Sequence, residues 1–284
     1  MKTILIQLDT DPHPSSFDRV VAVDSDVDHL FSYGSVTPEN VEGLIHGAMF
    51  TRGPKSLKNT AIFVGGSNVT AGEAVFEKVK KTFFGPMRVS VMMDSNGSNT
   101  TAAAAVLAAG SHLDLSATTA TVLGGTGPVG LRAAQLLAGR GATVNLVSRS
   151  KDRAASACES IRSVVKDATV NPIGAAGDDL VAACTATQLL ISAGAAGVQF
   201  FAEQQWQSLA NLKVAVDVNA VPPVGLEGIE VIDKATERSG IICYGAIGVG
   251  GTKMKIHKTA VRRLFESNDV VLDTKTIFEL GESL

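Results

Sequence analysis

At the centre of this chain lies the segment Ala120-Thr121-Val122-Leu123-Gly124-Gly125-Thr126-Gly127-Pro128-Val129-Gly130. It begins as a short apolar run typical of a buried strand, and residues 125–130 then fit the pattern G-x-G-x-x-G before an alanine- and leucine-rich helix predicted over 131–137. In such a unit Gly125 permits a tight turn, Gly127 lets backbone N–H groups approach a pyrophosphate, and Gly130 allows close packing of helix and strand. This motif alone is a weak signal, so the rest of the chain has to support it.

Short apolar runs of strand length recur on both sides of this segment, at 3–8, 29–33, 60–64, 88–93, 141–147, 189–195 and 213–223. Helices are predicted between them, and the first is capped by Ser15 or Ser16 and carries Phe17 in its first turn. Further helices are predicted over 37–50, with Thr37 as the N-cap, over 70–83 and over 102–109. Strands that alternate with helices indicate parallel sheets whose carboxyl edges bind ligands.

We therefore predict two α/β domains with parallel sheets, the second a Rossmann-type NAD(P)-binding domain. The first domain is predicted over 1–112 and the second over 113–250, with 243–251 as a last strand or glycine-rich turn. Residues 251–284 are predicted to form C-terminal helices that return to the first domain, a long one over 252–265 and a short one over 273–284.

The composition argues against several classes of protein. The 284 residues are 45% apolar, which suits an enzyme-sized globular protein. The formal net charge is only −3, so neither nucleic acid nor a membrane is expected as a partner. No signal peptide or membrane span is expected, because the apolar stretches are interrupted before about 20 residues. Cys158, Cys184 and Cys243 lack the spacing of metal ligands and are predicted to be buried thiols of a cytoplasmic protein.

The end of the second Rossmann strand indicates which dinucleotide binds. An NAD-selective site usually has an acidic residue there, about 20 residues after the glycines, whereas an NADP site places basic and hydroxyl groups around the 2′-phosphate. Here Ser148, Arg149, Ser150 and Lys151 follow the strand, and the first acid is Asp152. NADP is therefore favoured as the cofactor. A bound phosphate also explains cations near a helix N-terminus, where they are otherwise unfavourable.

Small or polar residues end other strands. Ser192 and Ala193 lie near the end of the predicted strand 189–195 and Asn219 near the end of 213–223, and both strand ends are expected to approach the nicotinamide half of the dinucleotide. In the first domain the polar turn 94–101 precedes a helix, so it either lines the cleft of a polar ligand or caps that helix.

The histidines and one lysine leave two interpretations open. Lys253 and His257 lie one helical turn apart, so they either point into one cleft or form a surface lysine and a partly buried histidine. His112 is predicted to be a solvated loop histidine, since no partner is spaced to meet it.

Seven stretches together resemble bacterial methylene-tetrahydromethanopterin dehydrogenases. They are residues 7–11 (QLDTD), 16–18 (SFD), 63–66 (FVGG), 83–86 (FFGP), 94–101 (DSNGSNTT), 125–130 (GTGPVG) and 253–257 (KMKIH), and they span nearly the whole chain. The resemblance implies oxidation of methylene-tetrahydromethanopterin to the methenyl cation, with hydride transfer to NADP or, in some members, NAD, in formaldehyde oxidation and one-carbon metabolism. It also implies a pterin-binding first domain, a fold related to methylene-tetrahydrofolate dehydrogenases, and a homo-oligomer such as a trimer.

The same resemblance implies the site residues. Phe17 is expected to stack on the pterin, Thr101 to line the cleft, and Lys253 and His257 to border the one-carbon centre. The other predicted substrate-binding residues are Asp18, Asp94, Ser95 and Asn96. The predicted dinucleotide-binding residues are Gly125, Thr126, Gly127, Pro128, Val129, Ser148, Arg149, Ser150, Lys151, Ser192, Ala193 and Asn219.

The chemistry limits what these residues have to do. Removal of a hydride from an aminal carbon leaves an amidinium cation and releases no proton, so a general base is not required. The main task is to align the donor carbon with nicotinamide C4 and to exclude water. A charged Lys253 would disfavour the cation, so this lysine is expected to position the substrate or to be neutral through burial.

One departure from the family pattern concerns the cofactor. Members selective for NADP commonly have a second basic residue directly after Ser148 and Arg149, where this chain has Ser150. NAD use therefore stays open. The alternatives to the main interpretation are a methylene-tetrahydrofolate dehydrogenase and a non-catalytic NADP-binding protein. A shikimate-dehydrogenase-like enzyme is more distant, because the first domain has no clear lysine–aspartate pair for proton transfer.

Overall fold

A computed structural model describes residues 1–174 and 176–284. The strands are β1 (Ile4–Asp9), β2 (His29–Tyr33), β3 (Thr60–Gly65), β4 (Ser90–Met93), β5 (Thr119–Leu123), β6 (Thr143–Ser148), β7 (Val170–Gly174), β8 (Leu189–Ser192), β9 (Val214–Asp217), β10 (Lys234–Arg238), β11 (Ile241–Tyr244) and β12 (Val271–Leu272). The helices are α1 (Ser16–Val23), α2 (Glu42–Phe50), α3 (Val69–Thr82), α4 (Ser98–Gly110), α5 (Pro128–Gly139), α6 (Lys151–Val164), α7 (Asp178–Ala183), α8 (Glu203–Gln207), α9 (Ala246–Arg263) and α10 (Thr274–Glu282).

The first compact unit comprises residues 1–100 and 254–284. Its sheet has the strand order β12-β4-β3-β1-β2, and all neighbouring strands are parallel. The direction in which successive strands are added reverses between β1 and β3, and open parallel sheets bind ligands at such a switch point. Asp9 and Gly65 are paired in register at the carboxyl ends of these two strands. The loops that follow β1 and β3 therefore meet at the switch point.

The second compact unit comprises residues 101–253. Its sheet has the order β10-β11-β9-β8-β5-β6-β7, in which only β10 is antiparallel to its neighbour. Without β10 this is the strand order 3-2-1-4-5-6 of a Rossmann domain, with the reversal between β5 and β8. The predicted fold class is confirmed. The unit boundaries lie inside α4 and α9, at 100/101 and 253/254, whereas the sequence analysis placed them at 112/113 and 250/251.

Apolar side chains on each sheet pack against the helices that cover it. In the first unit Ile62 and Val64 of β3 are buried with Ile45 of α2 and Val75 of α3. In the second unit the core includes Leu190, Ala215, Phe201 and Trp206. Full burial of a large aliphatic or aromatic side chain stabilises a fold by about 1.5–3 kcal/mol. The three cysteines are all buried and unpaired, which confirms the prediction of core thiols.

The predicted start of the second helix is wrong. Thr37 lies in a turn, and α2 begins at Glu42. The side chain of Asn40 closes this turn, because its Oδ1 accepts the Thr37 N–H at 2.8 Å and its Nδ2 donates to the Ser35 carbonyl at 3.0 Å. The Thr-Pro-Glu signal therefore marks a turn rather than a helix start.

The predicted strand or glycine-rich turn over 243–251 is also largely wrong. Only Cys243 and Tyr244 belong to a strand, and α9 begins at Ala246. The glycines permit a close approach of this helix to the backbone of the preceding loop, since an added Cβ at Gly248 would lie 1.7 Å from the Asp233 carbonyl oxygen. No helix within the described ranges is long and apolar enough to cross a membrane.

Candidate functional site

The turn between β5 and α5 brings backbone, not side chains, to the edge of the second sheet. Gly124 has a left-handed φ of 67°, and an added Cβ would lie 2.7 Å from Gly194 Cα. An added Cβ at Gly130 would lie 2.4 Å from the Gly124 carbonyl oxygen. The tight turn is predicted at Gly125, but the residue with a positive φ is Gly124. Gly125 is required for another reason, because its Cβ would lie 2.5 Å from Leu146 Cγ.

Helix α5 begins directly after this turn, with Gly127 as the N-cap and Pro128 at the first helical position. The Gly127 N–H donates to the Gly124 carbonyl at 2.9 Å and so closes the turn around the half-buried Thr126. Pro128 has no N–H, so Val129 and Gly130 supply the N–H groups that have no acceptor within the helix. Small residues and outward N–H groups at a helix N-terminus together form a cradle for an anion such as a phosphate.

Four predicted dinucleotide-binding residues follow or end β6: two serines form local hydrogen bonds, and two cations are exposed to solvent. The Ser150 side chain caps α6 by accepting the Arg153 N–H at 3.3 Å, and the Oγ of the buried Ser148 accepts the Ser150 N–H at 3.4 Å. Arg149 and Lys151 are exposed, and in the described part of the chain no carboxylate pairs with either. Two cations therefore lie beside the start of α6, where the sequence analysis placed a 2′-phosphate.

The ends of β8 and β9 lie at the same edge of the sheet. Ser192 is buried, and the Ala193 N–H donates to the Leu123 carbonyl at 3.0 Å, next to the glycine turn. Asn219 is only 8% exposed, and its Oδ1 accepts the Val221 N–H at 3.0 Å. No acceptor among residues 1–174 and 176–284 receives a hydrogen bond from Asn219 Nδ2.

Asp217, which the sequence analysis did not single out, fixes the loop that carries Asn219. Its carboxylate accepts the Asn219 N–H at 3.0 Å and the Leu226 N–H at 2.7 Å. Burial raises the pKa of this carboxyl, and the backbone hydrogen bonds partly oppose that shift. An acid at the last position of a buried strand is the sequence signal that pointed to it.

In the first unit Asp9 organises the loop between β1 and α1. Its buried carboxylate accepts the Asp11 N–H at 2.9 Å and the Ser15 N–H at 3.0 Å. Ser15 is in turn the N-cap of α1, since its side chain accepts the Asp18 N–H. This chain of bonds presents Phe17 in the first turn of α1, where its ring is 51% exposed. The partly exposed carboxylate of Asp18 lies beside Gly65 of β3.

The predicted substrate-binding turn after β4 is built around Asp94. This fully buried carboxylate accepts the Asn99 N–H at 2.9 Å, the Thr100 N–H at 3.1 Å and the Thr100 hydroxyl at 2.6 Å. It therefore caps α4, which the sequence analysis held as the alternative role for this turn. Ser95 is also buried and donates to the Gly65 carbonyl at 3.2 Å. Of the predicted residues within the turn, Asn96 is the one exposed to solvent, with a φ of 56°.

His257 is fully buried within the first unit, more so than the partly buried histidine of the second interpretation. Its ring stacks on Phe63 with centroids 5.7 Å apart and lies 6.3 Å from the ring of Phe17. Its Nδ1 is 3.9 Å from an oxygen of the Asp94 carboxylate. The structure thus brings three predicted site residues together and adds Phe63, whose position in the FVGG stretch was the available signal.

Comparison with known proteins identifies the family. A family profile described as "Methylene-tetrahydromethanopterin dehydrogenase, N-terminal" matches residues 16–96. The "Bifunctional protein MdtA" of Methylorubrum extorquens is 44% identical, over 100% of this chain and 99% of the relative. The "NAD(P)-dependent methylenetetrahydromethanopterin dehydrogenase" of the same organism is 32% identical, over 99% and 98%. The chain belongs to the methylene-tetrahydromethanopterin dehydrogenase family. The resemblance seen in the sequence motifs is confirmed.

Solved structures resemble this family member in fold. Quinate dehydrogenase from Corynebacterium glutamicum in complex with NAD covers 100% of both chains, with a TM-score of 0.53 and 14% identity. Shikimate dehydrogenase from Mycobacterium tuberculosis covers 99% of this chain and 100% of its own, with a TM-score of 0.50 and 16% identity. At these identities the likeness shows the fold alone.

The other predicted site residues of this methylene-tetrahydromethanopterin dehydrogenase family member lie on the two helices that cross the unit boundaries. Thr101 is partly exposed on α4, and Lys253 is partly exposed on α9, four residues before His257. The prediction that His112 is a solvated loop histidine is confirmed, because it lies exposed in the turn after α4. It nevertheless has a partner, which was not expected: its Nε2 lies 2.8 Å from the Tyr244 hydroxyl, and the two rings pack with centroids 5.8 Å apart. A partner 132 residues away leaves no local sequence signal.

Proposed function

We propose that this chain oxidises methylene-tetrahydromethanopterin to methenyl-tetrahydromethanopterin by direct hydride transfer to NADP, in one-carbon metabolism and formaldehyde oxidation. The observation that carries the proposal is the 32% identity, over nearly the full length of both chains, to a relative named as an NAD(P)-dependent dehydrogenase of this substrate. Family membership and the geometry of the two switch points support the same reaction.

The residues of the second unit fit a dinucleotide on two observations. Gly124, Gly125 and Gly130 are packed so closely that added Cβ atoms would clash with neighbouring protein atoms, so bare backbone precedes α5, and Asn219 Nδ2 is a buried donor without an acceptor within the described ranges. We propose that the cradle holds the pyrophosphate, Arg149 and Lys151 the 2′-phosphate, and the residues after β8 and β9 the nicotinamide half. When bound, the dinucleotide supplies the hydride acceptor.

Because Ser150 caps α6 and Ser148 Oγ accepts the Ser150 N–H, the proposed selectivity for NADP depends on two exposed cations, Arg149 and Lys151. A basic pair on exposed side chains attracts a 2′-phosphate without rejecting a ribose hydroxyl. NAD is therefore proposed as a second, weaker acceptor.

In the first unit we propose that the exposed ring of Phe17 stacks on the pterin. A flat heterocycle gains both apolar burial and ring-face contact there. His257 is proposed to border the one-carbon centre, held by Phe63 and by the Asp94 carboxylate at 3.9 Å. Thr101, Asp18 and Asn96 are proposed to contact the polar edges of the carrier. Asp94 and Ser95, both buried, are proposed to act by holding this wall of the site in place.

The reaction requires no proton transfer to or from these residues. Loss of a hydride from the aminal carbon leaves a delocalised amidinium cation, so no side chain has to remove a proton. The work of the chain is to bind, to orient the donor carbon and to exclude water, which is catalysis by proximity. A full positive charge beside the new cation would raise the energy of that cation. Lys253 is therefore proposed to position the carrier and not to stabilise the product.

We further propose a homo-oligomer, such as a trimer, in the cytoplasm, with no nucleic acid partner. Exposed apolar side chains on α1 and the edge strand β2 support association with another copy of the chain: they are Val20, Val23, Phe31 and Tyr33. Three free thiols suit a reducing compartment, and a net charge of −3 offers little attraction to a phosphate backbone. Analytical ultracentrifugation with and without added polyanion tests the assembly.

A steady-state assay tests the function. Methylene-tetrahydromethanopterin and methylene-tetrahydrofolate are each offered with NADP and with NAD, and reduced nicotinamide is followed by absorbance. The highest kcat/KM is expected for methylene-tetrahydromethanopterin with NADP. Turnover of the folate carrier alone would establish the methylene-tetrahydrofolate dehydrogenase instead. Dinucleotide binding without turnover of either carrier would establish a non-catalytic NADP-binding protein.

A further inference from the structure

The loop 218–226, between β9 and the following turn, is fixed at both ends by one buried carboxylate. Asp217 is 1% exposed and accepts backbone N–H groups from Asn219, near the start of the loop, and from Leu226, at its end. Neighbouring backbone also holds the loop, since the Val218 N–H donates to the Ser192 carbonyl at 3.0 Å. These hydrogen bonds therefore hold the loop against the ends of β8 and β9.

Asn219 is the polar side chain that this clamp positions. Its Oδ1 accepts the Val221 N–H at 3.0 Å, which sets the orientation of the amide and directs Nδ2 away from that bond. Nδ2 is inaccessible to solvent and donates to no group in the described part of the chain. A buried amide donor without an acceptor is costly, so Asn219 Nδ2 calls for an acceptor from outside the described chain, such as a ligand or an ordered water.

The position of Asn219 indicates which part of a dinucleotide it meets. In the second sheet β9 lies two strands from β5 in one direction. In the other direction β6 lies next to β5 and is followed by the exposed Arg149. Two strand spacings are roughly 10 Å. A dinucleotide whose pyrophosphate lies on the turn after β5 and whose 2′-phosphate lies near β6 places its nicotinamide over β8 and β9. A neutral N–H donor there matches a neutral carbonyl oxygen rather than a phosphate.

We propose that Asp217 is a positioning residue that holds Asn219 so that Asn219 Nδ2 donates to the carboxamide oxygen of the nicotinamide ring. This proposal rests on the proposed function, since it requires that the second unit binds a dinucleotide. It assigns Asp217 no contact with the reacting atoms. The pair orients the ring, and the cradle and the cations bind the rest of the dinucleotide.

Two ligands separate this role from a general structural one. NADP carries the carboxamide, whereas 2′-phospho-ADP-ribose lacks the nicotinamide ring but retains the pyrophosphate and the 2′-phosphate. Both are titrated calorimetrically into the intact protein, so the readout does not depend on turnover. Asn219→Asp is the sharpest variant, because it keeps the shape and the acceptor for the Val221 N–H while it removes the N–H donor.

For Asn219→Ala, NADP is expected to bind about tenfold more weakly, the loss of one neutral hydrogen bond. For Asn219→Asp the loss is expected to be at least as large, because a carboxylate oxygen then faces the carboxamide oxygen, while both variants bind 2′-phospho-ADP-ribose within about twofold of wild type. Asp217→Asn is expected to produce the same selective loss, and the double variant Asp217→Asn/Asn219→Ala to lose no more than either single variant. Asn211→Ala is the matched control, since Asn211 lies before the amino end of β9 and donates to the Thr185 carbonyl at 2.9 Å. It is expected to bind both ligands as wild type does.

Equal losses for both ligands in the Asn219 variants, or no loss for either, would overturn the proposal. Additive losses in the double variant would overturn the positioning role of Asp217. If Asp217→Asn does not fold, Asn219→Asp still decides the contact with the carboxamide. Failure of the proposed function is a different result, because the wild-type protein would then bind neither ligand or turn over neither carrier.

Discussion

The two sheets reverse their strand order in equivalent ways, yet the two switch points present opposite chemistry. After β5 the chain offers backbone, with Gly124 and Gly130 so close that an added Cβ at Gly130 would lie 2.4 Å from the Gly124 carbonyl oxygen. In the first unit Asp9 follows β1 at the switch point and Asp94 follows β4, one strand beyond β3, and these buried carboxylates hold the neighbouring loops by accepting backbone N–H groups. One edge is shaped by the absence of side chains and the other by side chains that bind backbone.

This difference sets how each edge tolerates change. The backbone turn tolerates no added Cβ at Gly124 or Gly130, because the nearest atoms there are backbone and cannot rotate away. A side-chain scaffold fails by degrees, since each hydrogen bond is a separate contribution. Single substitutions at the two edges separate these two behaviours.

The largest effect is expected for Gly130→Ala. Its Cβ would meet the Gly124 carbonyl oxygen at 2.4 Å and the Gly125 Cα at 3.0 Å, so the turn and α5 have to separate. We expect a loss of about 3 kcal/mol in the free energy of unfolding, as for overpacking of a rigid site, together with loss of detectable NADP binding. Urea unfolding and calorimetric titration measure the two effects.

Gly139→Ala, in the last turn of the same helix, is the control for that variant. An added Cβ at Gly139 meets nothing within 4 Å. Replacing glycine by alanine at an unstrained helical position is expected to leave NADP binding unchanged and to stabilise by about 0.4–1 kcal/mol. Equal behaviour of the two variants would contradict the view that close backbone contact defines this edge.

The next effect concerns the carboxylate edge of the first unit. Asp94→Ala removes the acceptor for the Asn99 and Thr100 N–H groups, and we expect a loss of about 2 kcal/mol because both donors are left buried. Asp94→Asn keeps an acceptor and is expected to lose about half as much while removing the charge 3.9 Å from His257. Urea unfolding gives the free energies, and NADP affinity is expected to stay unchanged in both variants.

Asp273→Ala is the matched control, because Asp273 caps α10 in the same unit by accepting the Thr276 N–H at 3.0 Å, but at an exposed site. Water replaces the lost acceptor there, so a loss of about 1 kcal/mol or less is expected. If the loss at Asp94 does not exceed that at Asp273, the buried carboxylate is not the support of the first site.

The third prediction concerns Arg149, the exposed cation just before α6. Arg149→Ala is expected to weaken NADP binding about tenfold, or about 1.4 kcal/mol, by removing a charge-assisted contact with the 2′-phosphate. NAD binding is expected to stay the same, because it has no phosphate there. Lys213→Ala removes an exposed cation before the amino end of β9 and serves as the control. Parallel loss of NAD and NADP affinity in Arg149→Ala would contradict selectivity by this arginine.

The contrast between the two edges also explains what the sequence could predict. A glycine turn depends on consecutive residues, so the turn containing 125–130 and the Rossmann fold were predicted correctly. The tight turn was assigned to Gly125, whereas the residue with a positive φ is Gly124. The alternation of strands and helices in the first unit was equally local. Short or edge strands such as β7, β10 and β12 were missed, because two to five residues with mixed burial carry little pattern.

What the sequence could not predict depends on contacts between distant residues. The helical state of 246–251 follows from packing on the loop at 230–233, not from the glycines themselves. Whether Asp94 lines a cleft or caps a helix was undecided until its three hydrogen-bond donors were located. His112 met Tyr244 through the fold alone. Side-chain networks of this kind require the tertiary structure.

The smallest effect concerns the pH dependence of stability that the cysteines produce. All three lie within the second unit, so their labelling reports on the unfolding of that unit. Burial raises the pKa of the Cys243 thiol to about 12 and that of Cys184 to about 11, from 9.0. A raised pKa means that the folded state keeps its proton while the unfolded chain loses it above pH 9. Stability that is fully present below pH 9 is therefore lost as the pH rises toward 11–12. At pH 9.5 we expect each thiol to lower the free energy of unfolding by about 1 kcal/mol or less, relative to its value well below pH 9.

Thiol labelling at pH 8 and pH 9.5, with and without urea, measures this effect. Native protein is expected to react slowly at both pH values, because the thiols are buried and protonated, and fast labelling is expected only where urea exposes the second unit. Gly130→Ala should then accelerate labelling and Asp94→Ala should not, if each edge supports its own unit. Equal acceleration by both variants would mean that the two units unfold as one cooperative body, and the contrast between the edges would then concern ligand binding and not stability.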